Sequence, residues 1–295
     1  MNQVKEPGAD FVKQVLPQTQ DRQPGIEAIM NPLPVYDHPN YNKQSQRLLD
    51  KVAIITGGDS GIGRAIAFSY AKEGCDIVIS YYDEHEDAAE TKRIVESFGR
   101  KCLLIPGDIA DPTVCEMIIS KTLDTFNKLN ILVNNAAMQF PHENVTQMKF
   151  EDIKRTFDVN IIAPIYLSQL AVPYLQAGDS ILNTTSVTAY QGHESLIDYS
   201  STKGALTTFT RSLATQLAPR HIRVNAVAPG PIWTPLIPSS SHDPEKTAQH
   251  GVNAPLGRPG QPVEHGAAFV FLASDDASYI TGITLHINGG TIVNC

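Results

Sequence analysis

A chain of 295 residues that is 42% hydrophobic and 18% charged has ordinary globular composition, enough for one large domain or two small ones. Its formal net charge of -8 gives no electrostatic case for nucleic acid or an anionic membrane. No apolar run approaches the ~20 residues of a membrane helix, and the opening MNQVKEPGADFVKQ has no apolar signal core. Cys75, Cys102, Cys115 and Cys295 lack metal-ligand spacing, and the nine histidines form no HExxH-like cluster. Reduced thiols, a cytoplasmic setting and no catalytic metal are therefore expected.

Residues 1–47 differ in texture from the rest. They carry Pro7, Pro17, Pro24, Pro32, Pro34 and Pro39, many Gln and Asn, and little periodicity. This is an arm without a core of its own. Ile26, Ile29, Met30, Leu33, Val35 and Tyr36 are the residues that would dock it onto a folded domain spanning 48–295.

From Leu48 the pattern becomes regular. Lys51–Thr56 reads KVAIIT, a short apolar run suited to a buried parallel strand. It meets Gly57-Gly58-Asp59-Ser60-Gly61-Ile62-Gly63, and an amphipathic helix then runs to about Glu73. Strand, glycine loop and helix in this order place a phosphate on a helix N-terminus. Further strands read at 76–80, 102–105, 131–134, 180–184, 223–227 and 284–287. Helices read at about 84–98, 111–126, 150–175, 198–218 and 261–273. Such alternation predicts an α/β fold, a doubly wound parallel sheet covered on both faces. The stretch 233–257 breaks it with Pro235, Pro238, three consecutive serines, Pro244 and Pro255. It reads as an irregular substrate loop just after a strand's C-terminal end.

The chemistry concentrates in Ser186–Lys203, SVTAYQGHESLIDYSSTK. Tyr199 and Lys203 are four apart on a predicted helix and share a face. A free tyrosine has a pKa of about 10, and a nearby cation favours its phenolate. The pair has the makings of a general acid/base, with the Ser186 hydroxyl available to a substrate oxygen.

Taken together, these residues resemble the short-chain dehydrogenase/reductase family over about 48–295. Thr56-Gly57-x-x-x-Gly61-x-Gly63 is similar to the family's cofactor loop, with Asp59, Ser60 and Ile62 inside it. Asp108, followed by Ile109, resembles the adenine-contacting position. Asn134-Asn135-Ala136-Ala137 resembles the Asn-Asn-Ala-Gly motif, with alanine in the last place. That departure adds a methyl near the adenosine ribose and shifts the cofactor slightly. Asn160, Ser186, Tyr199 and Lys203 match the catalytic tetrad. Pro229-Gly230, with Ile232 and Thr234, resembles the segment wrapping the nicotinamide. The arm is similar to that of a bacterial general-stress-type subgroup.

The resemblance implies an NAD(P)-dependent oxidoreductase acting on a small carbonyl or alcohol, assembled as a homotetramer. Tyr199 would be the general acid/base. Lys203 would lower its pKa and hold the ribose, Ser186 would polarise the reacting oxygen, and Asn160 would hold a water. A non-catalytic nucleotide-binding regulator on the same fold is the alternative. The second strand ends Ser80-Tyr81-Tyr82-Asp83-Glu84, with no cation for a 2′-phosphate and with Tyr81 where a ribose-gripping carboxylate usually stands. Arg64 falls inside the first helical turn, less well placed. The expectation is therefore NAD, with NADP or dual use as the alternative.

Overall fold

The computed structural model describes residues 12–37, 46–241 and 243–292. Pro7, Pro39 and Cys295 lie outside the described residues.

Among the described residues, seven parallel strands form one sheet in the order β3-β2-β1-β4-β5-β6-β7. They are β1 (Val52–Thr56), β2 (Asp76–Tyr81), β3 (Cys102–Pro106), β4 (Ile131–Asn134), β5 (Ser180–Thr184), β6 (Arg223–Pro229) and β7 (Thr284–Ile287). β1, β4, β5 and β6 are buried along their whole length, as the apolar runs of a sheet covered on both faces must be. The chain winds outward from β1 to β3 and then returns to place β4 on the other side of β1. That reversal opens a crevice at the carboxyl ends of β1 and β4.

Helices α1 (Gly61–Lys72), α2 (His85–Ser97), α3 (Pro112–Phe126), α4 (Phe150–Phe157), α5 (Ala163–Ala171), α6 (Thr188–Gln191), α7 (Ile197–Leu217), α8 (Leu236–Ser240), α9 (Pro244–Ala248) and α10 (Val263–Ala273) complete the layers. One core packs Ile66 of α1, Val95 of α2 and Phe269 of α10 against the sheet. The other packs Ile118 of α3, Leu167 of α5 and Ala214 of α7. Local signals place the ends. Asp111 accepts from the Thr113 N–H, with Pro112 as the first residue of α3, and Asn127 closes that helix in the left-handed region.

Two expectations are corrected. The single helix expected over 150–175 is α4, a π turn over Asp158–Ile162, and α5. Pro164 has no N–H to give to the Asn160 carbonyl four residues earlier, so the regular ladder cannot pass through this point. The stretch 233–257 is not wholly irregular, because it contains α8 and α9. The Asp243 carboxylate accepts from the N–H groups of Glu245 and Lys246, and Pro244 follows it, so what reads as a breaker is a helix start.

The described part of the arm lies on the domain. Val15, Met30 and Trp233 form a small buried cluster, and Trp233 Nε1 donates to the Pro32 carbonyl at 2.8 Å. Tyr36 meets Phe68 edge-on at 5.8 Å. Ile29 and Leu33 remain exposed, so only part of the expected docking set is used.

Candidate active site

A cavity of about 780 Å³ occupies the crevice, in the range of small-molecule and cofactor sites. Its wall runs from Tyr81, Tyr82 and Glu84 at the end of β2 to Thr247 and His250 near α9.

The floor is the glycine loop. Gly57 and Gly61 have positive φ values of 61° and 52°. Gly63 admits no side chain, since a Cβ there would lie 1.8 Å from the Gly57 carbonyl oxygen. Asn135 ties this loop to the end of β4, its Nδ2 donating to the carbonyls of Thr56 at 3.1 Å and Gly57 at 3.2 Å. The Thr56 hydroxyl accepts from the N–H groups of both Asn135 and Ala136. Asp59, Ser60, Gly61, Ile62, Asp108, Ile109, Asn135, Ala136 and Ala137 all face the cavity, and Gly63 stands behind it. This close-packed cradle at the start of α1 fits a dinucleotide's phosphates.

Pro229, Gly230, Ile232 and Thr234 form the opposite wall. Gly230 is required by close approach, since a Cβ would meet the Asn288 Cα at 2.6 Å. The Pro229 carbonyl accepts from the Val187 N–H at 2.8 Å, which fixes Ser186 beside the end of β6. The Ser186 hydroxyl accepts from the Thr188 N–H at 3.1 Å.

Tyr199 and Lys203 reach the cavity from the first turns of α7, both buried. Lys203 Nζ donates to the Thr184 carbonyl at 2.8 Å. Burial pushes the Tyr199 phenol up to about 12, opposed by a hydrogen bond with Ser186. Burial also pushes the Lys203 ammonium down to about 7. The sequence reading has the lysine lowering the phenol's pKa. In this cavity desolvation is the larger influence, so the phenol is held protonated.

Asn160 lies behind the wall in the π turn. Its side chain is fully engaged, Oδ1 accepting from the Met138 N–H and Nδ2 donating to the Met138 carbonyl, both at 2.8 Å. Nδ2 also reaches Thr202 Oγ1 at 3.3 Å. The side chain thus locks the Met138 segment to α7.

Several cavity residues escape sequence reading. Gln139 donates to Ser240 Oγ of α8 at 2.7 Å, and Gln23 of the arm donates to the Gln139 carbonyl at 2.7 Å. His250 is held neutral, burial pushing it down to about 4, and its Nε2 has no hydrogen-bond partner among the described residues. None of these sits in a recognisable spacing. Arg64 does not face the cavity. It pairs with Glu27 of the arm and with Asp87, so it is unavailable to a ligand phosphate. Among the described residues no group of three or more His, Cys, Asp or Glu side chains could hold a metal ion.

The sheet order, glycine cradle and Ser-Tyr-Lys wall define the class, and the chain belongs to the short-chain dehydrogenase/reductase family. A family model described as enoyl-(acyl carrier protein) reductase matches residues 57–291. The chain is 56% identical to the uncharacterized oxidoreductase YhdF of Bacillus subtilis (strain 168), over 94% of this chain and 96% of that protein. It is 54% identical to general stress protein 39 of the same organism, over 97% and 99%. It is 43% identical to the NADPH-dependent aldehyde reductase 1, chloroplastic, of Arabidopsis thaliana, over 94% and 98%. Among solved structures, a short chain dehydrogenase from Burkholderia cenocepacia J2315 in complex with NADP aligns with a TM-score of 0.77 at 32% identity, covering 83% of this chain and 99% of that one. A 3-ketoacyl-(acyl-carrier-protein) reductase from Brucella melitensis complexed with NADH aligns at 0.75 and 30% identity, covering 83% and 100%.

Proposed function

We propose that this protein is an NAD(P)-dependent oxidoreductase that interconverts a small carbonyl and its alcohol. The observation that carries the reading is a buried phenol and ammonium one helical turn apart, facing the same cavity as the glycine cradle. Relatives named as oxidoreductase and aldehyde reductase support it, and so do neighbours bound to NADP and NADH. A regulator without chemistry has no use for this pair.

The residues that would hold the nucleotide are the glycine loop and Asn135–Ala137 at the phosphates and ribose. Tyr81, Asp108 and Ile109 would take the adenosine end, and Pro229–Thr234 the nicotinamide end. When bound, the nicotinamide supplies or accepts the hydride. Ser186 donates a hydrogen bond to the carbonyl oxygen and stabilises the charge that develops there. Tyr199 gives that oxygen its proton in reduction and takes it back in oxidation. Lys203 stabilises the transient phenolate and holds ribose hydroxyls. The Asn160 carbonyl, freed by Pro164, holds a water that connects Lys203 to solvent.

A polar substrate is favoured by the buried Nε2 of His250 on the cavity wall, which has no partner among the described residues. Exposed Phe150, Ile162, Ile165 and Ile197, on α4, the π turn, α5 and α7, support a homotetramer paired through these helices. The buried free thiols Cys75, Cys102 and Cys115 support a cytoplasmic setting. No helix among the described residues is long and apolar enough to cross a membrane.

The test is a panel of aldehydes, ketones, sugars and polyols, followed by the absorbance of reduced nicotinamide with both cofactors. Turnover of any member supports the reading. Nucleotide binding without turnover across the panel favours the regulator. Light scattering at the monomer mass would remove the tetramer.

A further inference from the structure

The end of β2 lacks a cation in sequence, but not in space. Arg22, on the arm, reaches it from outside the doubly wound domain. Its guanidinium Nη2 contacts Asp83 Oδ1 and sits 2.9 Å from Glu84 Oε1. Its Nε donates to the Pro24 carbonyl at 2.9 Å, which fixes the side chain's direction. Glu84 and Tyr82 are on the cavity wall, as are Pro24 and Gly25 of the arm, while Arg22 and Asp83 stand beside them just outside the lining. Gly25 is wedged against the domain, since a Cβ there would lie 2.3 Å from the Pro235 carbonyl oxygen. The arm is therefore pinned beside the strand end.

In a doubly wound fold this strand end, about 20 residues past the glycine loop, meets the adenosine ribose. A 2′-hydroxyl accepts a carboxylate neighbour there, whereas a 2′-phosphate is repelled by one and needs a cation. Two carboxylates, Asp83 and Glu84, stand at this position. Arg64, the other arginine near the loop, is consumed by Glu27 and Asp87. Arg155 faces the cavity but is held by both oxygens of Asp108, at 2.7 and 2.9 Å.

We propose that Arg22 is a specificity-determining residue for the cofactor: by pairing with Asp83 and Glu84 it cancels the negative charge that would repel a 2′-phosphate at the end of β2, so that an arm outside the nucleotide-binding fold sets the choice between NADP and NAD. The inference rests on the dinucleotide-binding reading above. It makes the chain a user of both cofactors. Removal of the arginine leaves two uncompensated carboxylates and turns the site toward NAD.

The test is equilibrium binding, not turnover, on the full chain. Dissociation constants for NAD, NADP, ADP and 2′,5′-ADP are measured by calorimetry for the wild type, Arg22→Ala, Arg22→Ala/Asp83→Asn and Arg155→Ala. Arg22→Ala should weaken NADP and 2′,5′-ADP by about tenfold or more, and leave NAD and ADP within about twofold. The added Asp83→Asn should restore part of the lost NADP affinity, a rescue that a merely structural role for Arg22 would not produce. Equal weakening of all four nucleotides would overturn the proposal and make Arg22 a clip for the arm. No change in any, or selective NADP loss in Arg155→Ala alone, would overturn it as well. A wild type that binds none of the four would overturn the dinucleotide reading itself, together with this inference.

Discussion

The ammonium of Lys203 stands 5.5 Å from the centre of the Tyr199 ring. The two side chains belong to one face of α7, and the same burial acts on both in opposite directions. It holds the phenol protonated, up to about 12, and lowers the ammonium to about 7, so that Lys203 keeps part of its charge at neutral pH. A phenol in this state is a proton donor at neutral pH, the form that carbonyl reduction requires. The neighbouring cation lowers the cost of the phenolate left behind.

Replacement of Tyr199 by Phe removes one oxygen and little packing. Turnover on a working substrate should fall by roughly 10²- to 10⁴-fold, the usual contribution of a positioned acid/base. Affinity for the nucleotide should stay within about twofold. Calorimetric titration beside initial rates separates the two effects. Near-normal rates in the variant would remove Tyr199 from the chemistry.

The same pair predicts opposite pH profiles for the two directions. Reduction uses the neutral phenol and a charged Lys203, so its rate should decline as pH rises through about 7, where Lys203 loses its proton. Oxidation needs the phenolate, which a phenol near 12 yields more readily as pH rises, so that rate should climb. Rate profiles from pH 6 to 10 in both directions check this. A reduction rate flat across that range would mean that Lys203 stays charged throughout.

The sheet is legible in sequence because its central strands are β-branched runs buried on both faces, a pattern that surface requirements do not blur. The Ser186, Tyr199 and Lys203 constellation is legible because helical spacing alone brings the last two together. The arm's part in the site is not legible. Glu27 and Arg22 are polar residues in a proline-rich stretch without periodicity, and their partners Gly61 and Glu84 lie 34 and 62 residues away. Nothing local marks them as buried or paired. The break at Asp158–Ile162 was readable in principle, since Pro164 forbids a regular helix there, but the surrounding apolar spacing continues across it and hides the π turn.

Gly63→Ala should abolish nucleotide binding without unfolding the sheet. The new Cβ would sit 1.8 Å from the Gly57 carbonyl oxygen, so the loop must move away from the start of α1. Loss of at least about a hundredfold in affinity is expected with a cooperative thermal transition retained, since one misplaced loop removes several backbone donors at once. Binding equal to the wild type would show that the loop can relax without opening the cradle.

Gly25→Ala tests the arm's contact with the segment that carries α8. Its Cβ would meet the Pro235 carbonyl oxygen at 2.3 Å and Ser239 Cβ at 2.9 Å, so either the arm or α8 must shift. Overpacking of this kind costs about 1–3 kcal/mol. Limited proteolysis should cut the arm faster in the variant. The KM for substrate should rise, because Ser240 of α8 and Gln139 are cavity residues bonded to each other at 2.7 Å. Unchanged proteolysis and unchanged KM together would show that the arm does not brace this wall.

Glu27 gives the last prediction, on stability against pH. Its carboxylate accepts the Gly61 N–H at 2.5 Å and pairs with Arg64, while its own N–H donates to Asp87 Oδ2 at 2.6 Å. Burial is the largest influence on the carboxyl and, against the pull of Arg64, pushes it up to about 7 from an ordinary 4.5. A group whose folded value lies above its unfolded one binds extra protons in the folded state between those two values. Its contribution is fully present below about 4.5 and is lost as pH rises through about 7. The difference amounts to about 3 kcal/mol at most. Glu27→Gln cannot titrate and keeps an oxygen for the Gly61 N–H. The wild type should therefore lose melting temperature relative to Glu27→Gln between pH 5 and 8, by several degrees for a domain of this size. Asp59 and Glu84 are also pushed up by burial, to about 6 and about 7, but they titrate in both proteins and cancel in the comparison. Parallel melting curves would show that Glu27 is ionised throughout, its charge fully matched by Arg64.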